Sequence, residues 1–347
     1  MTLELTYERC VRTRSVAASC RACVDLCPTQ AVSLGGPRQS VEVALDDCIE
    51  CGLCQAVCPT DAFVSAFDAA AFVASRPREV ACGRDGLPCV GALSSEDLLT
   101  LSRAWGSLKV IARDCAAGNA GHERVRLAVE KARVFARAMG AAVTMEWRDE
   151  TSPPKVSQAK PRRPVAARRQ LLGLLVAKAP GRKLTTPARL DVAAIRAVST
   201  TPRRQRFLAT LPPSFRPAAA SLPGESVSCL STKQIERSRC TACMLCVTAC
   251  PTGALQTARL HQEIRFEARK CVNCHLCHDV CEPKAITADP ELNLIDFLDS
   301  KPKVLVSFQM TLCGECGAPF NAERDDQVMC SACRERHSEA RTLWGHR

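Results

Sequence analysis

Cys240-Thr-Ala-Cys243-Met-Leu-Cys246-Val-Thr-Ala-Cys250-Pro251 is followed by Cys271-Val-Asn-Cys274-His-Leu-Cys277-His-Asp-Val-Cys281. Each run sets three cysteines two residues apart and a fourth after a gap of three. A structural zinc site takes its four ligands as two pairs, which leaves the third cysteine of each run without a use. A disulfide framework belongs to short secreted chains, and this chain has 347 residues. Three thiolates at this spacing can wrap one face of an iron–sulfur cube. The fourth, set off by three residues, points away from that cube toward a second one.

The doubled pattern resembles the bacterial two-cluster ferredoxins. The resemblance implies that Cys240, Cys243, Cys246 and Cys281 hold one 4Fe–4S cluster, and that Cys271, Cys274, Cys277 and Cys250 hold another. A first copy stands near the N-terminus, where Cys48-x2-Cys51-x2-Cys54-x3-Cys58-Pro59 matches in full. Its companion run, Cys20-x2-Cys23-x3-Cys27-Pro28, departs from the pattern, because position 17 is alanine. Cys10 is the nearest candidate for the missing ligand, with a free buried thiol as the alternative. On the same crossed scheme Cys10, Cys20, Cys23 and Cys58 are assigned to one 4Fe–4S cluster, and Cys48, Cys51, Cys54 and Cys27 to the other. The repeat extends beyond cysteine. Cys27-Pro-Thr-Gln-Ala-Val, Cys58-Pro-Thr-Asp-Ala-Phe, Cys250-Pro-Thr-Gly-Ala-Leu and Cys281-Glu-Pro-Lys-Ala-Ile each end on an apolar residue. Val32, Phe63, Leu255 and Ile286 are therefore expected to seal the clusters from water, and exclusion of water helps set the potential of such centres.

Composition agrees with a metal-dependent chain. Twenty-four residues are cysteine and only 4% are aromatic, so clusters are expected to supply folding energy that a larger core would otherwise provide. The N-terminus has acids and no apolar signal region, and no apolar run approaches the ~20 residues of a membrane span. The expected location is the cytoplasm, with the inner face of the membrane as a second possibility.

Residues 79–150 follow another rule. Ser94 or Ser95 caps a helix carrying Leu98, Leu99 and Leu101. Residues 108–112 form a strand, and a helix over 121–139 presents Val125, Val129 and Ala132 or Val134 on one face, with Gly140 as its stop. A strand follows from 141. This alternation predicts a small parallel α/β layer. The stretch resembles the small iron–sulfur subunit of hydrogenase and heterodisulfide reductase complexes, on Cys82-x6-Cys89 before a helix and Cys115 after a strand. That family uses four cysteines for a 2Fe–2S cluster. Only three are present here, so the expectation is the fold without the cluster.

Residues 151–225 hold eleven of the 21 prolines, with fifteen Lys/Arg against Asp191 and Glu225. This net +13 accounts for the whole chain's +11. Such a block is expected to be an extended basic linker, with helical islands at 168–178 and 203–208. It could tether two heads, dock on an acidic partner, or lie on anionic lipid. At the C-terminus, Cys313-x2-Cys316 and Cys330-x2-Cys333 make a tetrahedral S4 site, read as a zinc ribbon with a rubredoxin-type single iron as the alternative. Cys229, His261, His275, His278, His337 and His346 are left without ligand roles.

The expected fold class is α+β. Dicluster ferredoxin-like modules occupy 1–78 and 226–300, and a small parallel α/β domain occupies 79–150. A basic Pro-rich linker spans 151–225, and a zinc-ribbon-like C-terminus spans 301–347. Clusters fully ligated by cysteine have no open coordination position, and neither a dinucleotide fingerprint nor a P-loop is present. The chain is thus read as an electron-transfer protein or oxidoreductase subunit, relaying single electrons to or from a dehydrogenase, a reductase or a quinone-linked complex. Autonomous catalysis is not expected. Two readings compete: an assembly or maturation factor for a metalloenzyme, and a nucleic-acid-associated protein. The second ranks last, because only Phe207 and Phe215 interleave the basic stretch.

Overall fold

The computed structural model describes residues 3–36, 38–113, 118–140, 144–150, 182–187, 189–211, 216–224, 229–259, 262–322 and 327–344. The two cysteine-rich regions repeat one plan. In the first, β1 (Glu4–Leu5) precedes the short helices α1 (Val11–Arg14) and α2 (Ala22–Asp25). A hairpin of β2 (Val32–Gly35) and β3 (Ser40–Ala44) follows, then α3 (Leu53–Val57), and β4 (Phe63–Val64) returns to pair with β1. Leu5 lies opposite Phe63, and Val32 lies opposite Val43. The strands alternate inward apolar and outward polar residues, as half-buried antiparallel pairs do. Their inward set, Leu3, Leu5, Val32, Val43 and Phe63, forms a core with Cys23 and Cys58.

Between the repeats, α4 (Ala69–Ala74) starts on Asp68, whose carboxylate accepts the N–H groups of Ala70 and Ala71. Three strands, β5 (Glu79–Ala81), β6 (Ser107–Ala112) and β7 (Thr144–Asp149), form a parallel sheet. The crossovers are α5 (Ser95–Trp105) and α6 (Gly118–Ala138). Ser94 caps α5 in a reciprocal box with Asp97, which satisfies two orphan helix donors. On α6, Val125, Val129, Ala132 and Phe135 are buried. The inward stripe thus runs through Ala132 rather than Val134. Parallel strands need long crossovers, and the helical periods of 95–105 and 118–138 supply them.

The reading of 151–225 as an extended linker is corrected from residue 182 onward. There β8 (Lys183–Leu184) adds to the edge of β3. It is followed by α7 (Val192–Arg196) and α8 (Pro202–Ala209), and β9 (Ser221–Pro223) ends the stretch. Helix α8 is packed in the core. Phe207 sits 5.9 Å from Phe135 and 6.3 Å from Phe297, centroid to centroid. Arg203 and Arg204 are buried because carboxylates wait for them: Arg203 pairs with Asp61 and Glu96, and Arg204 pairs with Glu96. Net charge thus misjudged α8, since acids elsewhere in the chain pair with its Arg203, Arg204 and Arg206. The helical island at 203–208 lies within α8, and the one at 168–178 lies outside the described residues.

The second repeat matches the first. Strand β10 (Lys233–Ile235) precedes α9 (Leu245–Ala249) and the hairpin of β11 (Leu255–Ala258) and β12 (Glu263–Phe266). After α10 (Leu276–Asp279), β13 (Ile286–Ala288) pairs with β10, Ile286 opposite Ile235. Strand β14 (Glu291–Asn293) pairs with β9, and α11 (Leu294–Leu298) carries Phe297. The apolar run after residue 302 is divided. Its first half, β15 (Lys303–Ser307), joins β12. Its second, β16 (Gln309–Leu312), pairs with β17 (Pro319–Ala322) in a separate hairpin ahead of α12 (Ser331–Trp344). No helix among the described residues is long and apolar enough to cross a membrane.

Candidate metal centres

Each cysteine loop is folded by the same backbone device. Glu50 and Gly52 in the Cys48 run, Ala242 and Met244 in the Cys240 run, and Asn273 and His275 in the Cys271 run all have positive φ, from 52° to 76°. Left-handed residues curl the chain so that successive thiols face one point. Gln30, Asp61, Gly253 and Lys284, three residues after Cys27, Cys58, Cys250 and Cys281, repeat the device. In the first run, Cys20-Arg-Ala-Cys23 instead leads directly into α2. Gly52 meets a further demand: a Cβ there would lie 2.6 Å from the Cβ of Ala92.

The structure brings the cysteines together in four groups. Burial pushes the Cys10 thiol up to about 11, and Cys58 and Cys20 act on it in the same direction. Cys23 is pushed up by burial and by Cys58, Cys10 and Cys20. Cys54 is raised to about 12 by burial, with Cys51, Cys48 and Cys27 adding to it. Cys246 is raised to about 12 by burial, then by Cys240, Cys243 and Cys281. For Cys277 burial raises the thiol, as do Cys271, Cys274 and Cys250. Four converging buried thiols resist ionisation as they stand, whereas a bound metal deprotonates a coordinating thiol outright. The sulfurs also receive N–H groups, from Ala62 to Cys58 and from Ala285 to Cys281, each at 3.3 Å.

Two of the groups enclose cavities. One is lined by Cys27, Cys48, Cys51 and Cys54 with Leu3, Val32 and Glu50. The other is lined by Cys250, Cys271, Cys274 and Cys277 with Lys233, Leu255 and Phe266. Val32, Phe63, Leu255 and Ile286 are all buried, and Val32 and Leu255 line these two cavities. Soft donors around an apolar void suit an iron–sulfur centre. The last cysteine group differs. The sulfurs of Cys313, Cys316, Cys330 and Cys333 lie within 4.8 Å of one another, the spacing of a site for one ion. The N–H groups of Cys330 and Cys316 hold the Cys313 thiol down to about 6, and Gly317 takes φ 69° in the turn between them.

Residues 18–62 match one model of the 4Fe–4S dicluster domain, and residues 232–282 match a second. An uncharacterised ferredoxin of Methanocaldococcus jannaschii is 36% identical over 62 residues, 18% of this chain and 90% of that protein. The chain belongs to the 4Fe–4S dicluster ferredoxins. A ferredoxin-like protein encoded in the nif region of Azotobacter vinelandii is 39% identical over 49 residues, which cover 12% of this chain and 51% of that protein. The chain thus spans about half the length of that relative. The two dicluster domains indicate 4Fe–4S clusters, and the cysteine group near the C-terminus could bind a metal. The first domain match begins at residue 18 and leaves Cys10 outside.

Charges around the ferredoxin domains were not anticipated from the sequence. Arg203 donates to the carbonyls of Ala56 (2.8 Å) and Cys58. Arg204 donates to those of Arg269 (2.8 Å), Cys271 (2.7 Å) and Cys229 (2.6 Å). The available signal was Thr201-Pro202, an N-cap followed by proline at the first helical position. Lys233 is 3% exposed. It donates to Ser231 Oγ at 2.9 Å and Asn273 Oδ1 at 3.2 Å. Cys82 and Cys89 are buried, and their sulfurs accept the N–H groups of Val90 and Gly91. Cys115, His261 and His346 lie outside the described residues. Burial raises the Cys229 thiol to about 12. The His275 and His278 rings meet edge to face at 5.3 Å, and His337 faces Glu315 at 3.3 Å.

Proposed function

We propose that the chain relays single electrons through its two ferredoxin domains in series. The ligand sets are Cys10, Cys20, Cys23 and Cys58; Cys48, Cys51, Cys54 and Cys27; Cys271, Cys274, Cys277 and Cys250; and Cys240, Cys243, Cys246 and Cys281. One observation carries the reading: adjacent arginines of one helix grip both domains. Arg203 holds the carbonyl of Cys58, in the first set, and Arg204 holds that of Cys271, in the third. The same two sets meet across the junction. Cys20 and Cys274 pack on a shared apolar group of Val11, Ala18 and Leu276. Ser19 donates to Asp279 from its backbone N–H at 2.8 Å and from its hydroxyl at 2.9 Å.

Bound 4Fe–4S clusters supply one-electron oxidation and reduction. The chain's own residues order and insulate them. Cys27 and Cys58 cross within the first domain, as Cys250 and Cys281 do in the second. Val32, Phe63, Leu255 and Ile286 exclude water. The suited partner is a dehydrogenase, reductase or quinone-linked complex, because the chemistry-bearing residues here are thiols. The C-terminal group is proposed to hold zinc.

Anaerobic iron, sulfide and zinc analysis with an EPR redox titration tests the relay. About sixteen iron per chain are expected for four 4Fe–4S clusters, with reversible signals that show coupling between neighbours. Much less iron, or reduction that does not reverse, would sink the reading.

A further inference from the structure

The two ferredoxin domains are built on one plan, so equivalent positions can be compared directly. Leu5 faces Phe63 in the first as Ile235 faces Ile286 in the second. Two residues earlier stand Leu3 and Lys233. Each lines the cavity of the equivalent cysteine set, and each is buried, at 6% and 3% exposure. Inside the two loops, Cys48-Ile-Glu50-Cys51 corresponds to Cys271-Val-Asn273-Cys274. Glu50 and Asn273 share the left-handed backbone, φ 53° and 52°. One set is therefore bordered by leucine and a carboxylate, and the other by an ammonium and an amide. Glu50 lines the cavity and has a buried oxygen, Oε1, without a hydrogen-bond partner. The Lys233 ammonium is fixed on Asn273 and Ser231. Arg204 and Arg14 add positive charge near the same set, Arg14 lying close enough to feel Cys250 and Cys274.

Reduction adds one negative charge to a cluster. A carboxylate at the cavity wall opposes that charge, and a buried ammonium favours it, strongly so away from water. We propose that the Lys233/Leu3 and Asn273/Glu50 differences polarise the relay. The Cys48 set takes electrons at the lowest potential of this equivalent pair, and the Cys271 set at the domain junction holds them at a higher one. Electrons then run downhill from the first domain into the second. This rests on the relay reading and gives it a direction.

EPR-monitored potentiometry of the full-length loaded protein tests the proposal, after iron and sulfide have been counted for every variant. Lys233→Met is expected to shift one signal to more negative potential. The expected size is about tenfold in its reduction equilibrium, or about 59 mV for one electron. Lys233→Arg should restore that signal. Glu50→Gln should move a different signal upward by a similar amount. Leu3→Lys should do the same to that second signal, which ties it to the Cys48 set. Full iron with unmoved potentials, or one signal answering to both Lys233 and Glu50, would overturn the polarity and leave the relay standing. Clusters that are absent or cannot be reduced in the unmodified protein would overturn the relay, and the polarity with it.

Discussion

Cys10 shows how a cysteine can be displaced in sequence and still arrive beside its counterparts in space. Its sulfur lies near those of Cys20, Cys23 and Cys58 because a single turn at Tyr7–Arg9, anchored by buried Tyr7, ends on it. Cys10→Ser is expected to remove or convert one cluster. Iron should fall by about one to four atoms per chain, depending on whether a 3Fe form survives. Unchanged iron and EPR would refute its ligand role. Arg204 is a second residue-scale case. It is fully buried and pairs with Glu96 while holding three carbonyls. Arg204→Met leaves Glu96 with a weaker set of partners in a buried site, and about 3–5 kcal/mol of destabilisation is expected in denaturant unfolding. Adding Glu96→Gln should recover part of that loss, since the uncompensated charge is then gone.

At the scale of elements, α8 is the piece that joins the rest. Its Phe207 fills the space between Phe135 of α6 and Phe297 of α11. Phe207→Ala should cost about 3–5 kcal/mol by cavity formation, read as a lower denaturation midpoint. Thr201→Ala, which removes the side-chain cap on Arg204 N–H, should cost about 1 kcal/mol. Deletion of 182–211 is expected to lower iron content as well as stability, because the carbonyls of Cys58 and Cys271 lose their donors. Wild-type iron after that deletion would show that α8 is dispensable to the cysteine loops. The C-terminal hairpin touches this core through Met310. Stripping the metal proposed for its cysteine group with a chelator should change its protection from hydrogen exchange and leave the cluster signals intact.

Across the whole molecule, the ferredoxin domains meet directly at Ser19 and Asp279 as well as through α8. Asp279 accepts two hydrogen bonds from Ser19, while Arg14 ties the first domain to the end of α7 by donating to the carbonyls of Arg196 and Ala197. Asp279→Ala is expected to keep full iron and weaken the EPR coupling between the Cys10 and Cys271 sets. Unaltered coupling would show that apolar packing alone fixes their spacing.

The cysteine runs and the two dicluster ferredoxin domains they mark were legible in the sequence, because loop spacing and the alternation of strands are local properties. The parallel layer was legible for the same reason: Ser94, Leu98 and Gly140 mark helix ends and faces within a few residues. The burial of Arg203, Arg204 and Phe207 in α8 was not legible. The charge and prolines around α8 describe a solvated chain, and the partners of these side chains lie far away in sequence, at Asp61, Glu96, Asp97 and Phe297. Nor could spacing show that Lys233 and Leu3 occupy equivalent places beside equivalent thiols. By itself the sequence determined which atoms can bind metal. The tertiary structure decided which charges surround them and which sets meet, because electrostatic energy depends on distances that only the folded chain defines.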